Sequence, residues 1–169
     1  TFEVVNNALV GVAEQMAATI LRTSYSTVIR EMLDYSTAVF DLEGRIIAQS
    51  CRIPIHLNSM SRSLRTTLDE TIPITEWRPG DIIVTNDPYK GGQHLPDIQT
   101  FLPVFSDSKL VAFCGTLGHH LDVGGMRPEH TRRWATHTQC RVALSRGSRP
   151  AGTPAGAREP GPAASLCVG

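Results

Sequence analysis

Apolar side chains recur every four positions at the start of the chain: Val4, Ala8, Val12, Met16 and Ile20, with Val5 and Leu9 widening the stripe. That period predicts an amphipathic helix over residues 3 to about 23. In "STAVFDLEGRIIAQS" the pattern shortens: Val39 and Phe40 precede, and Ile46 and Ile47 follow, a turn through Asp41, Glu43 and Gly44. This predicts a β-hairpin. Met60, Leu64 and Leu68 restore a helical spacing and predict a second helix from about Ser59 to Glu70, capped by Asn58 or Ser59. "RPGDIIVTND" then gives a turn and a short apolar strand, while "QTFLPVF" and "KLVAFCGTL" read as paired strands about the turn Ser106-Asp107-Ser108. Helices and strands in this order, without regular βαβ alternation, predict an α+β fold. Its expected form is an N-terminal helix followed by hairpins and a second helix packed on a mixed sheet.

After about His130 the pattern stops. "TRRWATHTQCRVALSRGSRPAGTPAGAREPGPAASLCVG" is rich in Arg, Pro, Gly and Ala and holds no Lys, Ile, Phe, Tyr, Asn or Asp. No amphipathic face can be drawn through it, so it cannot bury enough apolar surface to offset its ordering entropy. Residues 129–169 are expected to form a disordered or frameshift-derived tail, with no helix or strand docked on the core.

Composition acts here mainly by exclusion. The 169 residues suffice for one domain with a core, and 41% apolar and 19% charged residues are ordinary for a globular chain. A formal net charge of zero gives no general attraction to nucleic acid or an anionic membrane. No unbroken apolar run is expected to approach the ~20 residues of a membrane helix. The N-terminus lacks the pattern of a signal peptide, and it lacks a methionine, as expected of a fragment or a processed chain. The cysteines Cys51, Cys114, Cys140 and Cys167 form no C-x-x-C pair, as expected of reduced thiols in a cytoplasmic protein.

Two short stretches carry candidate chemistry. "NDPYKGGQHLPDI" (86–98) joins Asp87, His94 and Asp97 to Gly91 and Gly92, which allow close backbone approach, and to Pro88 and Pro96, which stiffen the loop. "GHHLDVGG" (118–125) places His119, His120 and Asp122 after an apolar strand. On an extended segment His120 and Asp122 share one face and His119 takes the other. The expectation is that His94, Asp97, His120 and Asp122 converge, if the two strand ends are neighbours. Imidazole and carboxylate together suit Mn, Zn, Fe or Mg better than a soft metal. Arg22, Arg30, Glu31 and Asp34 in "RTSYSTVIREMLDYS" read first as surface ion pairs, with a substrate-binding or supporting role open for Glu31 or Asp34. His56, between apolar neighbours in "IPIHLNSM", reads as a buried, hydrogen-bonded histidine. There is no G-x-x-x-x-G-K-[ST] phosphate loop and no G-x-S-x-G nucleophile elbow.

"RTSYSTVIREMLDYSTAVFDLEGRIIAQS", "IPIHLNSM", "GDIIVTNDPYKGGQHLPDI" and "GHHLDVGGM" together resemble the hydantoinase B / 5-oxoprolinase family, colinearly over residues 1 to about 128. The resemblance implies ATP-coupled opening of cyclic amides such as hydantoins or 5-oxoproline. Acetone and acetophenone carboxylase subunits belong to the same group, so a carboxylase-type subunit is the alternative. It also implies that ATP is handled by a hydantoinase A-type partner subunit or domain, which fits the missing phosphate loop. A divalent metal (Mn, Zn or Mg) is implied too, with Asp87, His94, Asp97, His119, His120 and Asp122 as candidate ligands and His120 and Asp122 as candidate catalytic residues. After "GGMRP" the similarity ends, so the chain resembles the N-terminal portion of a B subunit. An inactive remnant that at most binds metal or a partner is the remaining alternative.

Overall fold

In the computed structural model, residues 1–50, 52–123, 139–143 and 166–168 are described. Every position of strand β1 (Tyr35–Phe40) is buried. A strand with one wet face would alternate, so β1 must be covered on both sides. Its odd positions meet helix α1 (Phe2–Thr23): Tyr35 clusters with Ala17, and Thr37 Oγ1 donates 2.8 Å to the Ala13 carbonyl. Its even positions Ala38 and Phe40 join Met60 and Leu64 of helix α3 (Pro54–Thr66) in the main core. Short helix α2 (Thr27–Arg30) links α1 to β1.

Strand β2 (Ile46–Gln49) completes the expected hairpin. Asp41 closes its turn by accepting the Glu43 and Arg45 amides, and Gly44 supplies the positive φ of 73°. Strands β3 (Asp81–Thr85), β4 (Asp97–Ser106) and β5 (Lys109–His119) finish a five-stranded layer in the order β2-β1-β5-β4-β3. Every pair is antiparallel, where a mixed sheet was expected. The α+β class stands, with α1 on one face of the sheet and α3 on the other.

Three differences from the sequence pattern have physical causes. Helix α3 begins at Pro54, about a turn before the expected cap, because proline is well suited to a first helical turn where no N–H partner is needed. Ser59 is therefore inside the helix and donates 2.8 Å to the His56 carbonyl, while the C-terminal end continues as a π turn, Thr67–Thr71. Second, α1 is long and apolar enough, at a mean hydropathy of 1.3, to cross a membrane by length and composition. Asn6, Asn7, Glu14 and Gln15 interrupt its apolar residues, so no single unbroken run has that length, and the helix lies along β1 and β2. Third, two segments after residue 131 do pair: Gln139–Ala143 (β6) runs antiparallel to β3, and Leu166–Val168 (β7) to β6. An open strand edge recruits extended backbone through main-chain hydrogen bonds, with little regard to composition. The rest of the expected tail lies outside the described residues.

Candidate metal centre

Antiparallel register puts Asp97, the first residue of β4, directly opposite His119, the last of β5. Residues paired in this way project from the same face. Asp97 shares its face with Phe101, and His119 with Leu117 and Phe113, all members of the core that α3 covers. His119 therefore points to the covered face, and His119 Nδ1 lies 2.9 Å from Asp97 Oδ1. His94, three residues before Asp97, brings Nε2 to 3.4 Å from Asp97 Oδ2, and its ring meets His119 edge-on at 5.0 Å. One ligand atom from each of His94, Asp97 and His119 falls within 4.8 Å of the others.

Burial is graded across the three: Asp97 is inaccessible, His119 partly buried, and His94 half exposed. Asp97 Oδ2 is buried and makes no hydrogen bond. An ionised carboxylate with an unbonded buried oxygen is costly unless a cation or donor meets it. Two imidazoles and a carboxylate are the donor set of Zn, Mn or Fe(II) sites with open positions for substrate or water. The three residues fit a divalent ion on both counts.

The other predicted site residues fall elsewhere. Asp87 is a local cap: its Oδ1 accepts the Tyr89 amide at 2.8 Å, starting a 3-10 turn, Pro88–Lys90. Gly91 closes that turn at φ 107°, and its Cα lies so near α3 that an added Cβ would meet Ser63 N at 2.5 Å. Asn86 Nδ2 donates to the Leu95 carbonyl at 3.0 Å, drawing the loop's two ends together. The glycines and Asp87 thus shape the loop that delivers His94. His120 and Asp122 are exposed, and neither joins the cluster among the described residues. The His120 amide donates to the Pro96 carbonyl at 2.9 Å, and its ring pKa is lowered, first by desolvation and then by the neighbouring His119. The expected convergence is therefore corrected to His119 in place of His120 and Asp122. The alternation along β5 held the signal: Phe113 and Leu117 are core residues, and two further steps reach His119.

His56 was read as a structural histidine, yet it sits beside this cluster. Buried in the first turn of α3, it places Nε2 3.4 Å from Asp34 Oδ1 and Nδ1 3.1 Å from Ser36 Oγ. A carboxylate only accepts, so an Nε2–H is the group that can meet Asp34, while the Ser36 hydroxyl, which also reaches the Ile53 carbonyl at 3.5 Å, partners Nδ1. Burial lowers the His56 pKa against the opposing pull of Asp97 and Asp34, with His119 and His94 adding to the lowering. All four groups are thus within electrostatic reach. Gln99, next inward from Asp97 on the same face, is fully buried with neither amide atom hydrogen bonded.

An open pocket of about 590 Å³ adjoins the cluster, lined by Pro88, Gln93, His94, Leu95, Pro96, His119 and Leu121. Its walls are mostly apolar, with the two imidazoles as polar features at one side. Gln93 adds an acceptor: its Nε2 donates 2.7 Å to the Ile55 carbonyl, which fixes the amide orientation and leaves Oε1 for other partners. A second hollow of about 640 Å³ lies at the other end of β1, between the Leu42–Arg45 turn and Arg65–Ile74, away from the histidines.

These features define an α+β domain with a histidine–carboxylate cluster at two paired strand ends, opening on a small apolar pocket. The chain belongs to the hydantoinase B/oxoprolinase family, whose sequence profile matches residues 1–139. It is 44% identical over 127 residues to 5-oxoprolinase 1 of Arabidopsis thaliana, covering 73% of this chain and 10% of that protein. Its fold is similar to an ATP-dependent caprolactamase from Pseudomonas jessenii, with a TM-score of 0.64 and 31% identity over 75% of this chain and 22% of that one. Acetone carboxylase in its nucleotide-free structure shares the fold at a TM-score of 0.69 and 20% identity, over 74% of this chain and 16% of that one. The chain thus spans about a tenth of the plant relative's length.

Proposed function

We propose that this chain is the N-terminal portion of the B-type component of an ATP-dependent cyclic-amide hydrolase, and that His94, Asp97 and His119 hold a divalent metal at its reaction centre. The observation that carries the proposal is the buried Asp97 carboxylate between two imidazoles, with one oxygen unbonded. A bound ion would supply Lewis acidity toward an amide carbonyl. Asp97, inaccessible and fixed in strand register, anchors the ligand set, while the loop-borne His94 is the more adjustable member. The apolar pocket walls receive the ring methylenes and exclude water from them. Gln93 Oε1 is an acceptor suited to the amide N–H, a contact a ketone could not make, and this favours an amide substrate over a carboxylase-type one. ATP is handled by a hydantoinase A-type partner subunit or domain, in keeping with the missing phosphate loop and with ATP dependence in the named caprolactamase. A cytoplasmic hetero-oligomer belongs to the same proposal.

The test uses a complete B-type chain carrying this segment, together with its A-type partner, ATP and a lactam or hydantoin. His119→Ala should lower turnover about 10²-fold or more, the cost of weakening or losing a metal. His120→Ala tests the role first assigned to its neighbour and should cost far less. Equal turnover in wild type and His119→Ala would overturn the proposal.

A further inference from the structure

Asp34 and His56 lie behind the cluster, and nothing in the ligand set requires them. The chain nonetheless makes an uncommon effort to place Asp34. Leu33, immediately before it, adopts a left-handed φ of 57°, which non-glycine residues avoid. The turn this creates is tied at three points. The Asp34 amide donates to the Val28 carbonyl at 3.2 Å, the Tyr35 amide to the Leu33 carbonyl at 2.9 Å, and the Asp34 carbonyl accepts the His119 amide at 3.0 Å. The last bond extends the β1–β5 ladder one step beyond its final registered pair, Tyr35 with Gly118. It fixes the peptide from which the His119 side chain springs. The Asp34 carboxylate is held in turn by His56, which Ser36 orients and the first turn of α3 presents. A chain of contacts thus runs from α3 through His56 and Asp34 to the backbone of His119.

We propose that Asp34 and His56 are positioning residues: the His56–Asp34 pair locks the turn at Leu33 so that the Asp34 carbonyl holds His119 in the geometry the cluster needs. The strained turn draws the Asp34 amide to the Val28 carbonyl while the Asp34 carbonyl stays on the ladder opposite His119. The inference rests on the reading of His94, Asp97 and His119 as one site. Supporting residues of this kind change metal affinity by about 10–100-fold when removed, although they do not touch the ion.

The experiment compares wild type with Asp34→Ala, His56→Ala, the double variant and the conservative Asp34→Asn, which keeps an acceptor for His56. Two readouts are taken on the full 169-residue chain. The first is amide hydrogen exchange at His119 without metal. The second is Mn(II) affinity followed by electron paramagnetic resonance. Each alanine variant should speed His119 exchange about tenfold or more while amides further along β4 and β5 are unchanged, since only a local opening is made easier. Mn(II) affinity should fall about 10–100-fold. The double variant should be no worse than the more severe single one, because both act through one contact chain, and Asp34→Asn should stay near wild type. Should His56→Ala fail to fold, His56→Asn, too short to reach Asp34 but still polar, takes its place. Unchanged exchange at His119 in a folded His56 variant, uniform acceleration over the whole sheet, or additive losses would overturn the inference. Equal Mn(II) binding by wild type and His119→Ala would instead overturn the metal reading, while the exchange result still decides the role of Asp34 and His56.

Discussion

Asp97 has no exposed surface, yet it carries a charge-bearing group between two rings that can each accept or give a proton. Strand pairing alone decides which rings these are. Along β5, odd positions face α3 and even positions do not, so of two adjacent histidines only His119 can meet Asp97. The histidines and carboxylates were legible in the letters, whereas the face was not, because "GHHLD" offers a second His–Asp pair on the other side of the strand. His56 is buried and partnered as its apolar neighbours suggested, but its place beside the cluster follows from a helix that begins at Pro54, ahead of the expected cap. Its burial has a measurable consequence. The folded pKa of His56 is lowered by desolvation, so the unfolded chain binds a proton at a higher pH than the folded one. Stability from this group is therefore full above the ordinary histidine range, near 6.5, and is lost as pH falls below it. Urea unfolding between pH 5 and 8 should show wild type weakening more steeply toward acid than His56→Gln. Parallel profiles would show that the ring is not held neutral by the fold.

At the level of elements, the loop from Asn86 to Pro96 is a rigid bracket between β3 and β4. Its rigidity comes from the Asp87 cap, the Asn86–Leu95 bond and the seat of Gly91 against α3. Gly91→Ala combines a φ of 107° with a Cβ 2.5 Å from Ser63 N, so either the loop or the helix must move. The expected loss is about 2 kcal/mol or more of stability, read by urea unfolding, with His94 displaced from the cluster. A variant as stable as wild type would mean that the loop does not rest on α3. The pattern of apolar residues located α1, the first hairpin and the β4–β5 pair, because each has an unambiguous period over several residues. It misplaced the start of α3, where proline rather than periodicity marks the boundary. It could not foresee that β6 would add to the edge of β3, since that pairing is made by backbone groups and carries little side-chain signature.

Over the whole molecule, the sheet is a platform with two unlike sides. One carries α1, whose Phe2, Val4 and Val5 remain 87%, 72% and 54% exposed. The other carries α3 and, where β4 begins and β5 ends, the cluster and its pocket. An exposed apolar helix face is a surface that soluble domains usually cover, and the far greater length of the relatives leaves ample chain to do so. The cluster, by contrast, is assembled entirely by elements within this segment, so its chemistry can be examined on the chain alone. The most direct measurement is Mn(II) titration of the 169-residue chain, followed by electron paramagnetic resonance, for wild type, His119→Ala and His120→Ala. One ion should bind to wild type and to His120→Ala with similar affinity, and binding should be lost in His119→Ala. Binding that survives in His119→Ala, or that disappears in His120→Ala, would contradict the assignment of the site to His94, Asp97 and His119.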